Sequence, residues 1–471
     1  MNGEISRRGF IGGCAAFAAV ATGKRLFAGT SAAGGLPGYY AAYLDDAVRR
    51  IGACAAKGAT NGFVYFTDPH ISANYDRSGY LIAELVRRTG LKRVFCGGDF
   101  SVAFSYGKKP KPFVERLYRK MCDTWRDPIE AAGGRLLTAK GNHDLRAFTG
   151  WDKADGFVYA SATTRKLLMA TAESATVTGN PDDRSGLYYY RDDADAKTRY
   201  IVVDTSDGVR EEDAEGTGEG YANIIRPGQM RWLGEVAFGT VPAGYAVIVM
   251  HHIPVVPYVG ERREHQSLDD FRRLIEAYQN RTRVTTPGGT FDFTSRAGGD
   301  ILVDLTGHMH ADRFAYTNGI LHLTETCDGF YNDPVATSPF CGRLFGERKE
   351  RANTVKEQAV DVIRYGGDVI RTTRLGVGHD RIFHARPLRL RPGEKLKFAS
   401  ELPDVTWFAH DSLTAEEHRK EPDPAKHWTF FNRTASVSPE GVVTAAGPGW
   451  ATVIAVASDF RSEVYGVEVR A

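Results

Sequence analysis

The run "GFVYFTDPH", Gly62 to His70, reads as a buried strand that ends in Asp68 and His70. These stand one residue apart, so both can reach one metal ion from a single loop. Four more strand-like runs end in metal-ligating residue types: Asp99 behind two glycines in "RVFCGGD", Asn142, His143 and Asp144 in "GNHD", His251 and His252 in "MHHIP", and His308 and His310 in "GHMH". Mixed imidazole, carboxylate and amide donors suit Mn, Fe or Zn better than Ca or Mg. Each piece alone has a plain structural reading: a polar turn for "GNHD", one packed and one exposed histidine for "HH", a helix cap for Asp68. Taken together and in order, they are five polar strand ends able to converge on one place. In folds built on buried sheets, ligands gather at the carboxyl ends of the strands.

In this order D-x-H, G-D, G-N-H-D, H-x-x-P and G-H-x-H resemble the motifs of the calcineurin-like metallophosphoesterases. They stand here as Asp68 and His70; Gly98 and Asp99; Gly141 to Asp144; His251 with Pro254; and Gly307, His308 and His310. The resemblance covers about Gly62 to Asp380. It implies an α/β fold, a four-layer α/β/β/α sandwich. It also implies two divalent or mixed-valence transition metal ions, Mn, Fe or Zn. One would be held by Asp68, His70, Asp99 and His310, the other by Asp99, Asn142, His251 and His308, with Asp99 as the bridge.

The implied reaction is hydrolysis of a phosphate ester by in-line attack of a hydroxide shared by two ions about 3.5 to 4 Å apart. His143 would stabilise the transition state or protonate the leaving oxygen, with Asp144 orienting its ring. His252 is left behind the ligands, facing substrate or simply packed. Val102 stands where relatives carry a ligand or, in the purple acid phosphatase branch, a tyrosine, so a colourless enzyme is expected. The third motif ends in Asp144 rather than Glu, which favours a phosphodiester over a monoester. The alternatives are a broad phosphomonoesterase that scavenges phosphate, and a surface binding or adhesion protein with a remnant enzyme domain.

Helical spacing predicts "YYAAYLDDAVRRIGACAA" and "GYLIAELVRRTG" as helices, and "AVDVIRYGGDVIRTTRLG" as a hairpin turning at Gly366 and Gly367. Ser78 is expected to cap the second helix, and Asn74 is the other polar residue just beyond the first motif. His379 and His384 are expected at the surface toward the C-terminal part. The charged run "GERKERANTVKEQ" is expected to be solvated. From Arg386 onward, alternation and frequent turn signals replace helices, as in a small all-β sandwich. That stretch resembles the group 2 bacterial Ig-like domain, with "LTAEEHRKEPDPAKHW" as an inserted loop. The expected organisation is a leader over 1–33, the metallophosphoesterase domain over 34–384 and the Ig-like domain over 385–471.

Composition narrows the class further. The chain has 471 residues, 42% hydrophobic and 25% charged, with formal net charge +2; no global basic field supports nucleic-acid binding. "SRRGF" followed by "IGGCAAFAAVA" matches a twin-arginine export signal, so a periplasmic, extracellular or cell-surface location is expected. Cys14 is read as a passive member of that apolar run. No other run is long enough to span a membrane. The expected partners are a phosphate-ester substrate and, through the Ig-like part, cell wall or carbohydrate. Cys327 and Cys341 are candidates for a disulfide.

Overall fold

The computed structural model describes residues 36–70, 77–100, 116, 119–144, 146–147, 157–158, 177–183, 187–207, 216–217, 224–256, 266–328, 353–411 and 433–471. The expected leader with Cys14, Asn74, Val102, Cys341 and the run 413–428, expected as an inserted loop, lie outside the described residues.

Four helices matter here: α1 (Tyr40–Ala56), α2 (Ser78–Thr89), α3 (Pro227–Trp232) and α4 (Gln266–Asn280). The strands that build the main layers are, in chain order, β1 (Asn61–Phe66), β2 (Arg93–Cys96), β3 (Arg135–Thr138), β4 (Thr178–Gly179), β5 (Tyr189–Asp193), β6 (Thr198–Val202), β7 (Ala246–Met250), β8 (Ile301–Thr306), β9 (Arg313–Thr317) and β10 (Ile320–Thr324). They continue as β11 (Ala359–Gly366), β12 (Val369–Gly376), β13 (Arg381–Leu390), β14 (Lys395–Lys397), β15 (Thr406–Asp411), β16 (Ala435–Val437), β17 (Val442–Ala445), β18 (Gly449–Val456) and β19 (Ser462–Val469).

Among the described residues, one sheet has nine strands in the order β15-β18-β19-β13-β12-β11-β1-β2-β3. A second has seven, in the order β9-β10-β8-β7-β6-β5-β4. In the first, β1, β2 and β3 run parallel, and in the second β6, β7, β8 and β10 do. Parallel neighbours end at the same edge of a sheet, so the loops after β1, β2, β3, β7 and β8 can meet.

Two-residue periodicity explains the layers. Tyr200, Val202, Ile248, Met250 and Leu305 share a core with Phe63 and Phe95 of the other sheet. The Tyr200 ring stands 5.7 Å from that of Phe63 and 5.0 Å from that of Phe95, and its hydroxyl lies 2.6 Å from the Tyr365 hydroxyl. The alternate residues Ile201, Val247, Val249 and Ile301 pack on Leu268, Phe271, Leu274 and Ile275 of α4. α1 buries Tyr40, Leu44, Ala47 and Ile51, one face of a helix, and packs with α2 on the nine-stranded sheet. The result is helices outside two face-packed sheets. α2 stops at Gly90, whose left-handed φ of 70° lets its N–H reach the Val86 carbonyl. Among the described residues no helix is long and apolar enough to cross a membrane.

The C-terminal part is all-β and merges with the first sheet. β13 pairs with β12 through Arg381–His384 and with β19 through both of its halves, so the expected boundary at His384 falls inside a strand. β14, β17 and β16 form a separate three-stranded sheet, which with β15, β18 and β19 encloses a small core of Phe398, Ala435, Val443, Val453, Tyr465 and Val467. Val464 and Ile454 instead join the main core.

Local expectations fare variously. The hairpin turns one residue later than expected, on Gly367 and Asp368, because Gly366 pairs with Val369. Ser78 accepts from Trp125 Nε1 at 2.9 Å inside the core rather than capping a helix. Glu357, from the run expected to be solvated, is buried and accepts from Tyr39, Tyr40 and Arg77. His384 is 29% exposed, stacks on Tyr465 at 4.2 Å and bonds Glu463 at 2.8 Å.

Candidate metal centre

All five strand ends meet. Asp68 and His70 follow β1, Asp99 follows β2, Asn142 and His143 follow β3, His252 follows β7, and His308 and His310 follow β8. The backbone there is unusual. Of the eleven non-glycine residues with positive φ among the described residues, five are Asp68 (52°), His70 (44°), Asp99 (54°), His308 (71°) and His310 (52°). Such conformations cost about 1 to 3 kcal/mol each and persist where surroundings over-determine them, typically at functional sites.

The carboxylates are oriented by the same means. Asp68 Oδ2 accepts from Thr67 Oγ1 at 2.6 Å and from the His308 N–H at 2.9 Å. Asp99 Oδ1 accepts from the His143 N–H at 2.8 Å. This leaves Asp68 Oδ1 and Asp99 Oδ2, both buried and without a hydrogen-bond donor among the described residues. Asp68 Oδ1 faces His310 Nε2 at 3.2 Å and His70 Nε2 at 3.9 Å. Asp99 Oδ2 faces His252 Nε2 at 3.1 Å and His143 Nε2 at 3.6 Å. Asn142 Oδ1 lies 3.0 Å from His252 Nε2 and 2.9 Å from His308 Nδ1. His70 and His310 oppose Nε2 to Nε2 at 3.1 Å.

Donor atoms therefore crowd around two centres, one lined by Asp68, His70 and His310 and the other by Asp99, His252 and His308. Asp99 also groups with His70 and His143, which puts it between them. These carboxylate oxygens, converging with imidazole nitrogens at these distances, fit divalent cations bound through nitrogen and oxygen.

Electrostatics agree with that fit. Burial alone would raise the Asp68 and Asp99 carboxyls, but neighbouring imidazoles, His252 among them, hold both below the usual range. Burial lowers His70 to about 3, with His310 adding to it, and lowers His143 to about 4. Against its own burial, Asp99 and Asp68 raise His252 to about 10. Without a metal the pair of carboxylates thus attracts a proton to His252, the role a cation takes over.

One sequence expectation is corrected. His251 does not join the cluster: its Nε2 lies 2.7 Å from Asp304 Oδ1, its Nδ1 2.8 Å from the Ile253 carbonyl, and its ring 5.5 Å from Phe271 of α4. Strand parity is the reason. His251 continues the face of Val247 and Val249 toward α4, and His252 continues the face of Ile248 and Met250 toward the first sheet. Asp304, whose other oxygen takes His322 Nδ1 at 2.8 Å, was the missed partner; an aspartate inside the apolar run "ILVDLT" was its signal.

Asp144 has a task that the motif does not display. Its Oδ2 accepts from the N–H of Asp99 at 2.9 Å and of Gly141 at 2.8 Å, tying two ligand loops together. Close approach there demands glycine: at Gly98, φ +103°, a Cβ would stand 2.8 Å from both Gly141 N and His252 Nδ1. Lys140, just before the third motif, is buried with its Nζ 2.6 Å from Asp204 Oδ2.

No protein-family model and no curated protein matches the sequence. Solved structures similar to the chain include a dimetal phosphatase from Danio rerio, at 14% identity over 68% of this chain and 98% of that one, TM-score 0.45. A conserved uncharacterized protein of Streptococcus pneumoniae, described as a predicted phosphoesterase, has 12% identity over 69% and 97%, TM-score 0.22. The phosphopantetheinyl hydrolase of Mycobacterium tuberculosis has 12% identity over 56% and 89%, TM-score 0.28. With TM-scores below 0.5, these likenesses leave the functional reading to the residues of this chain.

Proposed function

We propose that the chain is an exported, metal-dependent hydrolase of phosphate esters, with phosphodiesters as the favoured class. The observation that carries the reading is the pair of buried, orphaned oxygens, Asp68 Oδ1 and Asp99 Oδ2, facing the imidazoles of His143, His252 and His310 from three other strand ends. One divalent ion would be held by Asp68, His70, His310 and Asp99, the other by Asp99, Asn142, His252 and His308. Such a pair supplies charge for phosphoryl oxygens and acidifies water toward neutral pH.

The protein's own residues do the rest. The side chain of His143 is 20% exposed, beside Asp99, and from there can donate a hydrogen bond to a phosphoryl oxygen or to the leaving oxygen. Asp144 fixes the loops of Asp99 and Gly141, and Thr67 aims Asp68. Export rests on the twin-arginine leader, the diester preference on Asp144 ending the third motif, and the Ig-like assignment on the C-terminal sequence pattern.

The test compares hydrolysis of bis(p-nitrophenyl) phosphate and p-nitrophenyl phosphate by residues 34–471 with Mn²⁺, using His252→Ala as the control. Faster hydrolysis of the diester, abolished in the variant, is the expected result. Faster hydrolysis of the monoester transfers the assignment to a phosphomonoesterase, and no variant-sensitive hydrolysis of either refutes it.

A further inference from the structure

Behind the His308–His310 arm lies a buried cluster that the chemistry above does not use. Arg374 of β12 and Arg381 of β13 meet Asp312, Glu325 and Asp361, with every side chain at most 3% exposed. Arg374 clamps Asp312 through two bonds, Nη2 to Oδ1 at 2.8 Å and Nη1 to Oδ2 at 3.1 Å. The same guanidinium reaches Asp361 at 2.9 Å, Glu325 at 2.7 Å and the Val377 carbonyl at 2.7 Å. Arg381 Nη2 adds a bond to Glu325 at 2.6 Å.

This cluster connects to the metal centre in two steps. Asp312 Oδ1 accepts from the Thr326 N–H at 3.0 Å, and Thr326 Oγ1 donates to the His310 carbonyl at 3.1 Å. His310 is held at a φ of 52°, which needs surroundings that over-determine it. A bidentate, fully desolvated arginine–carboxylate pair fixes position far better than a surface contact does.

We infer that Arg374 is a positioning residue for His310: through Asp312 and Thr326 it holds the left-handed turn that presents the His310 imidazole to its metal ion. The inference rests on the two-metal reading above. It ties the first sheet to a ligand loop of the second, from strands far along the chain.

The test is Mn²⁺ titration calorimetry on metal-free residues 34–471. Arg374→Lys keeps the charge and loses the fork. One of the two Mn²⁺ affinities should fall at least tenfold while the other stays within threefold, and combination with His310→Ala should add no further loss. Arg199→Lys is the control, because Arg199 is a buried arginine paired with Asp192 at 2.7 Å and outside this cluster; it should leave both affinities unchanged. Should Arg374→Lys fail to fold, Thr326→Val decides, since it removes only the hydroxyl on His310 and should weaken the same site.

Both affinities within threefold of wild type in the folded variants overturn the inference, as does an equal loss in Arg199→Lys. A wild-type chain that binds no Mn²⁺ refutes the functional reading and the inference with it; normal binding of two ions with unaffected variants refutes the inference alone.

Discussion

Replacing His251 and His252 one at a time separates two tasks performed by adjacent, identical side chains. His252→Ala removes the ring 3.1 Å from Asp99 Oδ2 and 3.0 Å from Asn142 Oδ1. Loss of a residue that only supports a ligand costs about 10- to 100-fold in metal affinity. Loss of the ligand itself should therefore cost at least about 100-fold at one of two sites, roughly 2.7 kcal/mol. His251→Ala instead removes the bond to Asp304 Oδ1 at 2.7 Å within the core. Leaving a buried carboxylate oxygen without its hydrogen-bond partner costs about 1 to 3 kcal/mol. His322 still holds the other Asp304 oxygen, so the low end applies, and melting should drop by roughly 2 °C or more. Thermal denaturation and Mn²⁺ calorimetry read both effects. The reasoning fails if His251→Ala deletes a metal site while His252→Ala retains both.

Three further outcomes follow from the geometry. Gly98→Ala should destabilise the fold by about 1 to 3 kcal/mol and weaken Mn²⁺ binding, because its Cβ meets Gly141 N and His252 Nδ1 at 2.8 Å; unchanged melting and affinity would contradict this. Burial and the nearby Asp204 raise the Asp207 carboxyl to about 6 despite Arg226. Between about pH 4 and 6 the native state then holds a proton that the unfolded state has released, so stability falls as pH rises through that window. Asp207→Asn should remove up to about 3 kcal/mol of that decline, measured by urea unfolding at several pH values. A chain ending at Arg391 loses β19 from the edge of β13 and Val464 and Ile454 from the main core. It should be insoluble or melt far lower, and a soluble product with unchanged melting would show the C-terminal part to be independent.

How far the sequence carries can be judged from particular residues. The strands ending at Phe66, Cys96, Thr138, Met250 and Thr306 were legible because apolar β-rich runs stop at polar turns, and parallel neighbours then bring those turns together. The choice between His251 and His252 was not, since two adjacent histidines past a strand point to opposite faces and only packing tells which face is which. The backbone contacts of Asp144 were hidden for a similar reason: its carboxylate finds N–H groups contributed by folding, which no motif displays. The merger of β13 with β19 escaped notice because composition changes at Arg386 while the hydrogen-bonded ladder runs on. The Arg374 cluster gathers residues from Asp312 to Arg381 with no local signature.

The most direct test of a dinuclear centre is to add Mn²⁺ stepwise to chelator-treated residues 34–471, counting bound ions while following diester hydrolysis. The account predicts two ions per chain and activity that depends on them, with Asp99→Asn binding fewer and losing hydrolysis. Full hydrolysis in excess chelator, or a chain that binds no Mn²⁺, would contradict it.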